Sequence, residues 1–243
     1  NELVYTTKGM EFTIDTTLVS NSSNHHNNKL NKFGLPICRD VDYNFTVYWG
    51  DGTSDSYSGD ASVIKNSAVH TYNESGIYVI KISGKFPVFR TGGGVNNGYR
   101  NGYVTEEYSH CIISVESISG IGLISYWQMF YGCINLTHFK AEFEYINTEY
   151  MTDTFRSCKS LVEITHRLPD NITKMQSTFM DCYSLKTIPN FPKNLKDTQR
   201  MFQYTSNLEE VPPFPESITD MGSMFYGSGI YRIPEIPSSV QYV

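Results

Sequence analysis

Met129-Phe130-Tyr131-Gly132-Cys133 opens a series that runs to the end of the chain. Thr154-Phe155-Arg156-Ser157-Cys158 and Thr178-Phe179-Met180-Asp181-Cys182 follow it. Met201-Phe202-Gln203-Tyr204-Thr205 and Met224-Phe225-Tyr226-Gly227-Ser228 complete it. The phenylalanines are 25, 24, 23 and 23 residues apart. A fixed period in the twenties marks an architecture in which each unit stacks on the next.

The flanking residues keep register with that phenylalanine. Six positions after it stand Leu136, Leu161, Leu185 and Leu208; three further on stand Phe139, Ile164, Ile188 and Val211. Pro189 and Pro212 follow directly, and Leu168-Pro169, Phe191-Pro192 and Phe214-Pro215 add a second apolar–proline pair. The last copy continues as Ile230, Ile233-Pro234 and Ile236-Pro237 but is one residue shorter after Ser228. Tyr126, Met151, Met175 and Met221 lie four before the phenylalanine, with Thr198 as the exception.

Each Leu-x-x-Ile segment reads as a short strand that ends where proline removes a ladder donor. From about Ile218 to Phe225, apolar spacings of three and four predict a helical turn or two. One such coil cannot bury its own face, but stacked coils can, with the phenylalanines forming an interior column. Truncating one of them to alanine should cost about 3–5 kcal/mol.

The pattern apolar-x-x-Met-x-x-x-Phe-x-x-Cys-x-x-Leu-x-x-Ile-Pro resembles the BspA-like leucine-rich repeats, a short-period class found on microbial surfaces. The resemblance covers residues 111–243 and implies a β/α solenoid of about five to six coils. Thr205 and Ser228 replace the cysteine in the last two copies, so that position calls for a small buried side chain rather than a thiol. Cys111-Ile112-Ile113-Ser114-Val115 reads as a degenerate first repeat that caps the stack. Val240-Gln241-Tyr242-Val243 sits where a further repeat would start, which predicts that the native protein continues or that a partner covers this uncapped end.

The N-terminal part has a different period. Glu11-Phe12-Thr13-Ile14-Asp15 and Tyr43-Asn44-Phe45-Thr46-Val47-Tyr48-Trp49 alternate as strands do. Gly50-Asp51-Gly52-Thr53 is a hairpin signal. Val69-His70-Thr71-Tyr72 and Ile77-Tyr78-Val79-Ile80-Lys81-Ile82, joined by Asn73-Glu74-Ser75-Gly76, read as a second strand pair, and strands at this spacing suggest a β-sandwich. The set Trp49-Gly50-Asp51-Gly52-Thr53, His70-Thr71-Tyr72 and Gly76-Ile77-Tyr78-Val79 is similar to the PKD family of immunoglobulin-like domains over residues 9–90. That similarity implies a small extracellular sandwich with Trp49 in or near its core.

The expected class is therefore mainly β with short helices, a PKD-like β-sandwich followed by a leucine-rich-repeat solenoid. The divisions are 1–90 for the sandwich, with an inserted polar loop near 20–41, then 91–110 as a Gly-rich linker, then 111–243. Asn21 to Asn28 is a polar loop containing His25 and His26, two adjacent histidines without a third metal ligand. Gly92 to Gly102 is Gly-rich but lacks the Gly-Lys-Ser/Thr that closes a phosphate loop.

Composition narrows the function. A net charge of −6 over 243 residues, with 19 scattered Lys and Arg, argues against a nucleic-acid partner. No apolar run approaches the length of a membrane span. There are five cysteines, with no C-x-x-C pair and no bracketing histidines, so a zinc site is not expected. Cys133, Cys158 and Cys182 share one repeat position and read as a buried ladder. Asp51 is a candidate calcium ligand, but a lone turn carboxylate more often accepts backbone hydrogen bonds. Five Asn-x-Ser/Thr sequons, at Asn21, Asn44, Asn73, Asn135 and Asn171, are close to chance in an Asn-rich chain.

No nucleophile elbow, His-Glu-x-x-His or dinucleotide fingerprint is present, so no catalytic residue, cofactor or metal is assigned. The resemblances imply a non-enzymatic, surface-exposed binding or adhesion protein, extracellular, cell-surface or on a virion, that recognises a protein or glycan. The alternatives are a structural subunit contacting its neighbours in a phage tail, capsid, sheath or surface layer, and an accessory binding region of a secreted hydrolase. The candidate ligand-binding residues face outward from the Leu-x-x-Ile segments: His138, Glu163, Lys186, Glu210, Tyr231 and Arg232. Tyr131, Tyr183, Tyr204 and Tyr226, just after the phenylalanines, form a second candidate edge.

Overall fold

The computed structural model describes residues 9–18, 31–92 and 106–243. The first alternating run becomes β1 (Met10–Asp15), with Met10, Phe12 and Ile14 buried. β2 (Lys32–Gly34) comes next, then β3 (Tyr43–Tyr48), which buries Tyr43, Phe45 and Val47. β4 (Ser54–Gly59) pairs back on β3 through the predicted turn, closed by the Trp49 amide donating to Thr53 O at 3.1 Å. β5 (Val69–Thr71), β6 (Ile77–Lys85) and β7 (Ile112–Ile118) follow. The polar run with His25 and His26, and the Gly-rich run from Gly93, lie outside the described residues.

One seven-stranded sheet has the order β4-β3-β6-β1-β7-β8-β9, where β8 is His138–Phe139 and β9 is Glu163–Ile164. β7 is its hinge. It pairs antiparallel with β1 and parallel with β8, so the strand read as the first repeat also belongs to the N-terminal sheet. The start of the coil stack is thereby covered, and Phe89 meets Phe130 with ring centroids 5.7 Å apart. The described core is one contiguous apolar cluster.

Two expectations about the N-terminal part change. β5 does not pair with β6. It pairs with β2 in a separate two-stranded sheet, while β6 lies between β1 and β3. Tyr72 N–H donates to Asn31 O at 2.7 Å, and Thr16 holds the other side of the connection through Gly76. The turn thus passes the chain between sheets. Residues 31–41 are also not polar loop: Phe33, Leu35, Ile37, Cys38 and Val41 are buried, and Phe33 packs on Phe12 at 5.9 Å.

The phenylalanine column is present. Successive rings from Phe130 to Phe225 stack at 5.7, 5.7, 5.6 and 5.8 Å, within 12° of parallel. The helical turns are not. Each coil carries two left-handed residues, two before and two after its phenylalanine: Gln128 and Gly132, Asp153 and Ser157, Ser177 and Asp181, Arg200 and Tyr204, Ser223 and Gly227. They break the helix into successive tight turns. In the second coil the Thr154, Arg156 and Cys158 amides donate three residues back, while those of Asp153, Phe155 and Ser157 donate to the next coil. Non-glycine residues seldom take this conformation. Here, in the first four coils, the cross-coil bonds hold them in it.

The strand ladder also ends sooner than the repeats do. Lys140 N–H donates to Val115 O and Thr165 N–H to Phe139 O, extending β8 and β9. The equivalent residues in later coils are Pro189, Pro212 and Pro234, which have no N–H to give. Past β9 the coils are joined by single bridges, Tyr150–Lys174–Asp197–Asp220–Tyr242, by the turn amides, and by isolated bonds such as Glu209 N–H to Lys186 O at 2.9 Å. In the shortened last copy the Gly229 amide reaches Thr205 O at 3.1 Å, so close that a Cβ there would lie 2.0 Å from Ser206 O. The protein is mainly β, and among the described residues its one α-helix is the four-residue Ala61–Ile64.

Candidate functional site

The register of the main sheet places the outward-facing candidates. Val79, Thr13, Ser114, His138 and Glu163 are successive Cα partners across β6, β1, β7, β8 and β9, so they form one row on one face. His138 is half-buried, with Nδ1 2.9 Å from Thr137 Oγ1; Glu163 is exposed. Further along, Lys186 is exposed and pairs with Glu209 at 2.7 Å, and the Glu210 amide reaches Lys186 O. Tyr231 is 81% exposed, with the Arg232 guanidinium 5.9 Å from its ring centroid. The six residues therefore fall into neighbouring pairs along a face rather than into one pocket.

The tyrosine edge is more concentrated. Tyr183 and Tyr204, 40% and 42% exposed, line an open basin of about 400 Å³ with Asp181, Ser206 and Gly227. Tyr226 stands edge-on to Tyr204 at 5.5 Å. Gly227 makes this possible, since a Cβ at that position would lie 2.6 Å from the Tyr204 ring. Tyr131 stays apart, with Arg156 over its ring at 5.6 Å. Asp181 was not among the sequence candidates. Its signal was present, in an acidic residue two after the phenylalanine where other coils carry Gly, Ser or Tyr.

At the N-terminal turn, Trp49 is fully buried, stacked on His70 at 5.0 Å and 10°, with Nε1–H donating to Asp55 at 2.7 Å. Asp51 accepts from the Thr53 amide and hydroxyl at 3.0 and 2.6 Å and meets His70 Nε2 at 2.8 Å. Partial burial pushes the Asp51 carboxyl up, but the hydrogen bonds from Thr53 and His70 outweigh it and hold the group at about 2. Both carboxylate oxygens are thus engaged by protein donors. Among the described residues no group of three or more His, Cys, Asp or Glu is placed to hold a metal.

All five cysteines are buried and none is in a disulfide. Cys158 Sγ donates to Phe130 O at 3.1 Å and Cys182 Sγ to Phe155 O at 3.0 Å. Thr205 Oγ1 does the same to Phe179 O at 2.9 Å. In these three coils the position holds a small side chain that donates a proton to the phenylalanine carbonyl of the preceding coil. Burial raises the Cys111, Cys133, Cys158 and Cys182 thiols, Cys133 to about 12. Among the described residues no helix is long and apolar enough to cross a membrane.

No curated protein and no solved structure matches the chain. Residues 124–243 match the BspA type leucine rich repeat region in six copies, which supports the BspA-like character of the stacked coils.

Proposed function

We propose that this chain is a non-enzymatic, surface-exposed binding or adhesion module that recognises a protein or glycan with the outward face of its sheet. The carrying observation is the unbroken row Val79–Thr13–Ser114–His138–Glu163, which lets N-terminal strands and repeat coils present one surface. Repeat stacks offer such extended faces for recognition, and the match to a leucine rich repeat region agrees with a binding role. On this reading residues 1–90 form a PKD-like sandwich, 91–110 connect it, and 111–243 form the solenoid. The Trp49–His70–Asp51 cluster supports the PKD-like assignment. The location that goes with it is extracellular, on a cell or virion surface.

The test is a solid-phase panel of extracellular-matrix proteins and glycans probed with the whole chain and with a Glu163→Lys/Lys186→Glu double variant. Binding that the variant loses, with unchanged thermal unfolding, supports the reading. Binding that survives at full strength overturns the face. A purified chain that builds a large regular complex by itself replaces adhesion with an assembly role.

A further inference from the structure

We infer that the basin formed by Asp181, Tyr183, Tyr204, Ser206 and Gly227 is a saccharide-binding subsite for one or two neutral sugar rings. It lies in the turn edge of the coils, just after the phenylalanine column, and is separate from the sheet face. It shares with the preceding reading only the premise that the chain binds rather than catalyses.

Three features point to a sugar. The basin's volume, about 400 Å³, falls within the range of small-ligand sites, yet it is open and shallow. A protein partner is held mainly by side chains sunk into desolvated pockets, on a footprint several times larger. Second, its aromatic surface is tyrosine. Tyr183, Tyr204 and Tyr226 are 40%, 42% and 61% exposed, and Tyr204 is fixed edge-on to Tyr226 at 5.5 Å. The exposed ring surface that remains suits the C–H face of a pyranose, and the phenol hydroxyls suit its rim.

Third, a polar group is left available. Among the described residues no donor engages the Asp181 carboxylate, although Asp181 is half-buried and its amide is fixed on Gln203 O at 2.9 Å. A carboxylate accepts from two adjacent hydroxyls at once, the arrangement a sugar's vicinal diol presents. The neighbouring cation Lys159 is placed over the Tyr183 ring, 5.8 Å from its centroid. A carboxylate in the basin that pairs with no cation among the described residues, on a chain of net charge −6, disfavours sialic or uronic acids, so the ligand is taken as neutral. The fold itself has no use for the Asp181 carboxylate. The Asp181 and Tyr204 side chains enter none of the amide bonds that join the coils, and Gly227 is the space that lets Tyr204 lie flat.

The experiment is a ligand-observed NMR titration of the whole chain with mannotriose, chitotriose and lactose, with sialyl-lactose as the charged control. Asp181→Asn keeps the size, and asparagine tolerates the left-handed backbone at this position; Tyr183→Ala removes an exposed ring. Binding of at least one neutral sugar is expected. It should weaken about tenfold in each variant while thermal unfolding stays unchanged, and sialyl-lactose should bind more weakly than lactose. Absence of binding by all three neutral sugars, or equal binding by both variants, overturns the subsite. So does a protein ligand whose capture Asp181→Asn and Tyr183→Ala abolish. A loss confined to the Glu163/Lys186 variant speaks against the basin and for the sheet face, so the two readings fail separately.

Discussion

Phe179→Ala tests whether the phenylalanine column holds the coils together. Phe179 is fully buried, with Phe155 stacked on one side at 5.7 Å and 5° and Phe202 on the other at 5.6 Å and 9°. Removing the ring loses its transfer free energy and leaves a cavity between rigid neighbours, together about 3–5 kcal/mol. For a chain of this size each kcal/mol is worth about 2–4 °C, so a central loss of about 4 kcal/mol lowers Tm by about 8–16 °C. Phe179→Leu keeps most of the apolar area but loses two ring pairs, each worth about 0.5–1.5 kcal/mol. Phe225 is the internal control. It is only partly buried and has one parallel neighbour, Phe202 at 5.8 Å. Its truncation should cost about half as much. Urea and thermal unfolding, followed by circular dichroism and by fluorescence, measure all three variants. Coincident transitions are required because repeat arrays can lose cooperativity. A Phe179→Ala loss under about 1 kcal/mol, or equal losses at Phe179 and Phe225, would refute the column as the main source of stability.

Thr205→Val removes the 2.9 Å side-chain donor to the buried Phe179 carbonyl, which keeps the Cys182 amide at 3.2 Å, so urea unfolding should show a loss of about 0.5–1.5 kcal/mol. Thr205→Cys should recover most of it, because Cys158 and Cys182 already fill that role with a thiol. Native protein treated with N-ethylmaleimide at pH 8 should show no adducts by mass spectrometry, and denatured protein should show five. Burial lifts Cys111 and Cys133 to about 12, so their contribution is fully present below the ordinary thiol pKa and is lost as pH rises toward 12. Unfolding curves taken upward from pH 8 should show that decline, and it should be smaller in Cys111→Ala. Asp51 has the opposite sign. Partial burial raises its carboxyl, but the bonds from Thr53 and His70 hold it at about 2, so its contribution is present above the unfolded value of ~3.9 and fades as pH falls toward 2. Asp51→Asn should flatten that acid limb.

Much of the architecture was legible because burial imposes a period. The phenylalanine, leucine and isoleucine positions face the interior in every coil, so they repeat and can be counted. The left-handed positions could not be counted that way. Gln128, Asp153, Ser177, Arg200 and Ser223 occupy one conformation with no shared chemistry, and at the first four a cross-coil amide bond fixes it. With that signal missing, apolar spacings of three and four imitate a helix. The strand pairing of Val69–Thr71 was hidden for another reason. Its partner, Lys32–Gly34, follows the long Asn-rich run, so nothing local links the two segments.

The same distinction accounts for the candidate binding surfaces. The coils use the side chains that point inward and the backbone amides that point along the stack. Gly227 beneath Tyr204 apart, they make little demand on the side chains at the turn edge or on the outward sheet face, where tyrosine, aspartate, lysine and glutamate replace one another from coil to coil. At the shared cysteine position, Thr205 still donates a proton to the phenylalanine carbonyl of the preceding coil, as Cys158 and Cys182 do. At Asp181 and Tyr204 the backbone bonds run to Gln203 and Tyr226 whatever the side chain is. The Tyr204 ring packs on Tyr226 and Gly227 of the next coil, but the half-buried Asp181 carboxylate, without a donor, owes nothing to the stacking of the coils. That independence makes Asp181→Asn informative, because it can remove a ligand contact without removing a structural one.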